Sequence, residues 1–220
     1  PTLELYKEPG SEISEHMHNR RGAYSESLYI YLNALEASST PKSVLSVGLG
    51  IGYNELITAS FWLKNKTTDT YLESFESESW LNESFLLWIK DNDSPVSPKL
   101  SQAYQAIAEN CAKTFDLPVE DIKLLLNQLY ESKRWTLRDE LNEQTQFSKK
   151  FNITYYDAFS KKMNPELWSE EFLNQFLHNA SSNNCTLTTY AATGALKRAL
   201  KNQNFEYLSY GRNWDLSPSY

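Results

Sequence analysis

An apolar, strand-like run, Val44-Leu45-Ser46-Val47, enters three glycines spaced two apart, Gly48, Gly50 and Gly52, and a helix-like segment leaves through Tyr53, Asn54 and Glu55. Strand, glycine turn and helix start in that order belong to α/β units. There the glycines allow a tight turn and let a ligand lie against the main chain. The G-x-G-x-G spacing is shorter than the G-x-G-x-x-G of dinucleotide sites. Taken alone, the pattern also fits a strand-to-helix turn that binds nothing.

A strand this apolar has to be covered on both faces. The chain has 220 residues, 40% of them hydrophobic and 14% aromatic, enough for one domain with a sizeable core. The expected organisation is a single domain over 1–220, with a helical insertion over 80–130. The formal net charge is −7. Phosphate contacts need concentrated Lys and Arg, so this acidity disfavours a large polyanionic partner without excluding one. Cys111 and Cys185 stand far apart in no metal-type spacing and read as reduced thiols of a cytoplasmic protein. His16 and His18 lack a third ligand nearby, so no metal is expected. No apolar run approaches the ~20 residues of a membrane span, and no leader-like segment opens the sequence.

Residues 1–24 read as polar and irregular, with a short strand at Leu3–Tyr6 and a turn at Pro9-Gly10. Ser25-Glu26-Ser27 reads as the cap of a helix from about Leu28 to Ala37. Strand Ser43–Val47, the glycine turn, a helix over about 54–64 and strand Thr70–Phe75 then follow, and Glu76 closes that strand. Gly52 and Glu76 are 24 positions apart, the separation at which an α/β nucleoside site needs an acid. A carboxylate there can accept hydrogen bonds from both ribose hydroxyls. Solvation at the end of an acid-rich segment is the plain alternative.

Helical periodicity dominates 80–130, broken at Pro95 and Pro98. A third strand is expected at Arg134–Leu137, with Asp139 just beyond it and a polar helix from Glu140. Ile153–Tyr156 reads as a buried strand ending in Asp157, followed by Ala158-Phe159-Ser160. Asn164-Pro165-Glu166-Leu167-Trp168 should open a helix with Pro165 in its first turn. Cys185–Tyr190, a helix over 195–202 and Phe205–Tyr210 complete an alternation that predicts a mostly parallel, doubly wound α/β sheet. Asp157 should then face the same crevice as the glycine turn and Glu76, although capping of the next helix is also open to it.

Gly48, Gly50, Gly52, Glu76, Asp139 and Asp157 thus follow four successive strands, in the order of a Rossmann-like methyltransferase. No Tyr-x-x-x-Lys pair supports an oxidoreductase, and no Lys-Ser or Lys-Thr follows the glycines as a kinase or ATPase would need.

The chain also resembles a family, the methyltransferase domain of the tRNA 5-methylaminomethyl-2-thiouridine biosynthesis protein MnmC and its stand-alone relatives. The matching residues are Glu15-His16-Met17-His18 through Gly22-Ala23, Glu26-Ser27, the glycine turn with Asn54, and Phe75-Glu76. Most specific is Asp157-Ala158-Phe159-Ser160 running into Asn164-Pro165-Glu166-Leu167-Trp168. Thr188-Thr189-Tyr190-Ala191-Ala192 with Gly194 and Arg198 also looks like the family.

The resemblance implies a class I S-adenosylmethionine-dependent methyltransferase that methylates the aminomethyl group of a tRNA wobble uridine. By position, Gly48, Gly50, Gly52 and Asn54 would hold the methionine part of the cofactor, Glu76 the ribose and Asp139 the adenine side. Asp157 would face the acceptor amine as the catalytic residue, and Phe159, Lys161, Lys162 and Trp168 would contact the substrate. The flavin-dependent oxidase domain of the bifunctional members has no room in 220 residues, so no FAD is expected. Ser46 departs from the acid that many methyltransferases carry two residues before the first glycine. The cations available for tRNA are Arg20, Arg21, Lys161, Lys162, Lys197, Arg198, Lys201 and Arg212. The other readings are a methyltransferase-fold protein acting on another amine, or a binding module without catalysis. The oligomeric state stays open.

Overall fold

The computed structural model describes residues 4–6, 14–16, 22–92 and 96–207. A hairpin of β1 (Glu4–Tyr6) and β2 (Ser14–His16) pairs antiparallel. After it come α1 (Ala23–Ala37), β3 (Ser43–Val47), α2 (Tyr53–Lys64) and β4 (Tyr71–Phe75). Three helices follow, α3 (Ser79–Ile89), α4 (Pro98–Phe115) and α5 (Val119–Glu131), leading to β5 (Trp135–Arg138) and β6 (Phe151–Tyr156). A 3-10 turn (Glu166–Trp168), α6 (Glu170–Ala180), β7 (Ser181–Thr188) and α7 (Gly194–Asn202) complete the described elements.

The main sheet has the order β5-β4-β3-β6-β7, and every neighbouring pair in it is parallel. This is the expected Rossmann-like, doubly wound α/β fold. The chain winds outward from β3 in one direction through β4 and β5, and in the other through β6 and β7. The switch point therefore lies between β3 and β6, where loops leaving the two strands diverge and open a crevice. Gly48 follows β3 and Asp157 follows β6, so both stand at that point.

Every residue of β3 is buried, which explains its unbroken apolar run. Val44, Leu72 and Ile153 face a core shared with α1 through α5, while Leu45, Val47, Phe151 and Tyr156 face one shared with α6 and α7. The helices between β4 and β5 belong to the first core. Tyr104, Ile107 and Cys111 of α4 and Ile122, Leu126 and Leu129 of α5 are all fully buried.

Several expectations shift. Pro98 starts α4, where its missing N–H costs nothing. Ser25 and Ser27 lie inside α1, whose N-cap is Gly22; Ser27 is buried and is no cap. No helix follows Glu140. Asn142 N–H instead donates to Thr145 Oγ1 at 2.9 Å and Gln144 N–H to Asn142 Oδ1 at 3.0 Å, a side-chain-built turn that competes with helix formation. The helix expected at Pro165 is only a 3-10 turn, and α6 starts afresh from Ser169, whose side chain accepts Phe172 N–H. The last expected strand, Phe205–Tyr210, is not strand over 205–207, and its remainder lies outside the described residues.

Candidate cofactor and acceptor site

The three glycines adopt positive φ, 92° at Gly48, 54° at Gly50 and 80° at Gly52, a region L side chains avoid. At two of them the protein itself demands glycine. A Cβ on Gly48 would lie 2.7 Å from the carbonyl oxygen of Asp157, and one on Gly52 would lie 2.4 Å from the Phe85 ring. The close approach at Gly48 goes with a main-chain bond from Asp157 N–H to Val47 O at 3.0 Å, which ties the ends of β6 and β3 together. At Gly50 the N–H reaches towards the end of β4 and donates to Glu76 Oε2 at 2.8 Å.

Asn54 is buried. Its amide donates to Ser46 Oγ at 3.1 Å and to Gly48 O at 3.2 Å, so its visible work is to hold the turn closed from beneath. Its neighbour Glu55, to which the sequence reading assigned no role, is wholly buried, and its Oε1 accepts from Ser74 Oγ at 2.8 Å. Burial outweighs the Ser74 and Ser46 hydroxyls and pushes the Glu55 carboxyl up to about 7.

Glu76 ends β4 and is 4% exposed. Besides Gly50, it accepts from Glu78 N–H at 3.0 Å through Oε1. Burial, with the Glu78 charge behind it, raises its carboxyl above the usual range, and the main-chain N–H groups of Glu78, Gly50 and Ser77 oppose that shift. Three main-chain donors leave the carboxylate lone-pair capacity for a further donor. Asn82 on α3 bridges from the Glu76 carbonyl to Asp139 Oδ1, both at 3.3 Å, so the acids ending β4 and β5 share one side chain. Asp139 itself is exposed. Trp80, also on α3, is 46% exposed, and its indole N–H donates to Glu78 Oε2 at 3.0 Å.

Asp157 is half-buried, and α1 supplies its partner: Tyr31 O–H donates to Asp157 Oδ2 at 2.7 Å. Tyr31 packs edge-on against Tyr190, with centroids 6.1 Å apart, and against Tyr155 at 4.7 Å. Tyr190 in turn shares a 3.3 Å hydroxyl contact with Ser27. Burial first, and the Asp157 charge second, push both phenols above their ordinary range, so both stay neutral. Sequence reasoning missed Tyr31 because it looked like one more apolar position of a helix. Its only signal was a hydroxyl on the buried face.

Phe159 is half-buried beyond Asp157, and Lys161 and Lys162 are exposed on the same loop. Trp168 needs correction as a substrate contact. It is 1% exposed, packs edge-on against Tyr156 at 5.1 Å, and donates its indole N–H to Phe159 O at 2.6 Å. It therefore props the loop from within the core. Arg198 pairs with Glu170 at 2.6 Å, and Lys197 sits over the Tyr207 ring at 5.1 Å. Arg20, Arg21, His18 and Arg212 lie outside the described residues, as does the side chain of His16.

A family profile described as S-adenosyl-L-methionine-dependent methyltransferase matches residues 96–212, more than half of the chain. The chain belongs to that family. The match runs from α4 to beyond α7 and takes in Asp139 and Asp157, while the glycine turn lies outside it. Among individual relatives, the tRNA 5-methylaminomethyl-2-thiouridine biosynthesis bifunctional protein MnmC of Paraburkholderia phymatum is 22% identical over 220 residues, 94% of this chain and 32% of that protein. The protein of the same name from Paraburkholderia xenovorans is 24% identical, over 86% of this chain and 29% of its own length. The chain thus spans about a third of the length of these curated relatives. The crystal structure of MNMC2 from Aquifex aeolicus aligns with a TM-score of 0.58 at 24% identity, covering 87% of this chain and 58% of that one, a likeness of fold.

As a member of this family the chain is an S-adenosyl-L-methionine-dependent methyltransferase, and the residues present suit that cofactor. A positive-φ turn stands at the switch point, a carboxylate with free lone pairs ends the neighbouring strand, and an exposed acid ends the strand beyond it. No helix among the described residues is long and apolar enough to cross a membrane, and no described cluster of His, Cys, Asp and Glu could hold a metal.

Proposed function

We propose that this chain methylates the aminomethyl group of a tRNA wobble uridine, converting 5-aminomethyl-2-thiouridine to its 5-methylaminomethyl form. The observation that carries the reading is Asp157, a carboxylate fixed at the switch point by Tyr31 and tied through its N–H to Val47, the residue before the glycine turn. When bound, S-adenosyl-L-methionine supplies a methyl group activated by a sulfonium.

In this reading the main chain of Gly48, Gly50 and Gly52 lies along the methionine part. Asn54 holds the turn's shape, Glu76 accepts from the ribose hydroxyls, and Asp139 stands on the adenine side. Asp157 accepts a hydrogen bond from the acceptor nitrogen. An alkylammonium has no lone pair to attack with, so the site has to take a proton from it, and Asp157 is the group placed to do so. Orientation supplies the rest, because in-line transfer needs the nitrogen held against the methyl. In this reading the half-buried rings of Phe159 and Tyr190 would attract an amine that gains positive charge as its new N–C bond forms.

Lys161 and Lys162 lie on the loop that leaves the strand of Asp157 and would meet phosphates beside the crevice. Relatives whose names include tRNA biosynthesis support a tRNA acceptor. A small or protein-bound amine is the second reading, favoured by the net charge of −7 and by the pairing of Arg198 with Glu170. The deciding experiment offers undermethylated tRNA and methyl-labelled cofactor to the chain. Label recovered in a methylaminomethyl uridine supports the tRNA reading; label appearing only on small amines favours the second. Failure to bind the cofactor at all would leave a binding module.

A further inference from the structure

Glu55 lies beneath the glycine turn in a setting that stability alone does not explain. It is the third residue of α2, whose N-cap is Gly52, and its side chain turns back onto the sheet between β3 and β4. Ser46 and Ser74, paired across those strands, both act on it, and Trp135 donates to Ser74 Oγ at 3.1 Å. The carboxyl is 0% exposed, and among the described residues no donor lies within hydrogen-bonding geometry of its Oε2. A buried carboxyl left half-satisfied destabilises a fold, whereas an apolar side chain in the same volume would not.

Burial is the largest influence on the carboxyl and keeps its proton on up to about pH 7, while several smaller influences favour ionisation. Hydroxyls of Ser74 and Ser46, the main-chain N–H of Glu55 itself and the N-terminal end of α2 all favour a carboxylate. Burial and the like charge of Glu76 oppose it. The titratable groups that bear on it are Glu76 at the end of β4 and Tyr155 on β6, and neither brings a positive charge. What the carboxylate lacks among the described residues is a cation. A connected path leads from it to the cradle, because Ser46 accepts from the same Asn54 amide that holds Gly48 O.

The geometry points to Glu55 as a positioning residue of the cofactor cradle, whose carboxyl gives up its proton when positively charged S-adenosyl-L-methionine fills the turn above it. This rests on the glycine turn being the cofactor site. The proton passes to the buffer, and the carboxylate stays as a buried counter-charge to the sulfonium and α-ammonium groups. Once ionised, Glu55 acts only as an acceptor, which commits the Ser46 hydroxyl to it as a donor and leaves the Ser46 lone pairs for Asn54. The turn is then held in the shape that receives the ligand.

The test is calorimetric titration of the whole chain with S-adenosyl-L-methionine at pH 7 in buffers of differing ionisation heat, which reads proton release apart from catalysis. With a carboxyl poised at about 7, release should be about half a proton per cofactor bound. The dissociation constant should tighten up to about tenfold from pH 6 to pH 8. Glu55→Gln keeps the shape and the acceptor for Ser74, and it should bind with no proton release and a flat pH profile. Release that persists in Glu55→Gln, or no release from the unaltered chain, would overturn the proposal. Should Glu55→Gln not fold, the cofactor-induced infrared difference spectrum of the unaltered chain decides, since the proposal requires loss of a protonated-carboxyl band. Absence of any binding heat would count against the cradle itself, while heat without proton exchange would count against Glu55 alone.

Discussion

Tyr31 donates a 2.7 Å hydrogen bond to Asp157, joining the middle of the first long helix to the end of the strand beside the glycine turn. The two residues are 126 positions apart, and this bond holds the Asp157 carboxylate by a neutral, buried phenol. Replacing it with Tyr31→Phe keeps the ring packing against Tyr155 and Tyr190 and removes only the donor. We expect a loss of about 1.5–3 kcal/mol in unfolding free energy, the scale of one bond to a charged group. Turnover should fall roughly tenfold while the cofactor dissociation constant moves less than about threefold, reflecting a misoriented acid. Urea unfolding and steady-state kinetics on the same preparation check both.

Asp157→Asn should remove the proton acceptor while leaving the main-chain bond to Val47 in place. Methyl transfer is expected to drop by about 10²–10⁴-fold, the range for a positioned acid or base, with cofactor affinity nearly unchanged. A fully active variant in a single-turnover assay would remove Asp157 from the chemistry.

The glycines are separable by what each would strike. Gly52→Ala puts a methyl 2.4 Å from a side chain, the ring of Phe85, and Gly48→Ala puts one 2.7 Å from main chain at Asp157. Both should destabilise by about 2–4 kcal/mol, from overpacking plus positive φ. Adding Phe85→Leu should return part of the loss for Gly52→Ala and none for Gly48→Ala. Thermal melts of the two single and two double variants test that contrast.

Glu55 makes stability depend on pH in a direction opposite to most carboxylates. Its folded value of about 7 lies above the ordinary 4.5, so the folded state holds the extra proton between them. The contribution is fully present below about pH 4.5 and is lost as pH rises through 7. The loss is on the order of 3 kcal/mol by linkage. Unfolding free energies at pH 5 and pH 8.5 should fall more steeply for the unaltered chain than for Glu55→Gln.

If tRNA is the acceptor, Lys161→Ala with Lys162→Ala should weaken its binding and flatten the salt dependence by about two counterions, without altering cofactor affinity. Filter binding across a salt series reads this directly. An unchanged slope would take the two lysines out of the interface.

Much of the fold was legible because it is local. The β3 run, the positive-φ glycines and the acids at Glu76, Asp139 and Asp157 are short-range signals, and a parallel sheet aligns them along one edge. The errors were local too. Asn142 and Thr145 close a turn where polar residues suggested helix, and Ser169 restarts α6 after Pro165 supports only a 3-10 turn. In both places short polar side chains offered the backbone partners that competed with the helix.

What the sequence determined by itself was the α/β alternation and the strand ends where the glycines and acids stand, because strand, turn and helix preferences act within a few residues. Tertiary structure alone decided which side chains those ends would meet. It put Tyr31 on Asp157, sank Trp168 into the core beneath Phe159, and made Gly48 and Gly52 obligatory through contacts with Asp157 and Phe85. It also enclosed Glu55 between Ser46 and Ser74. Such pairings depend on how layers pack at close range, and no spacing along the chain encodes them.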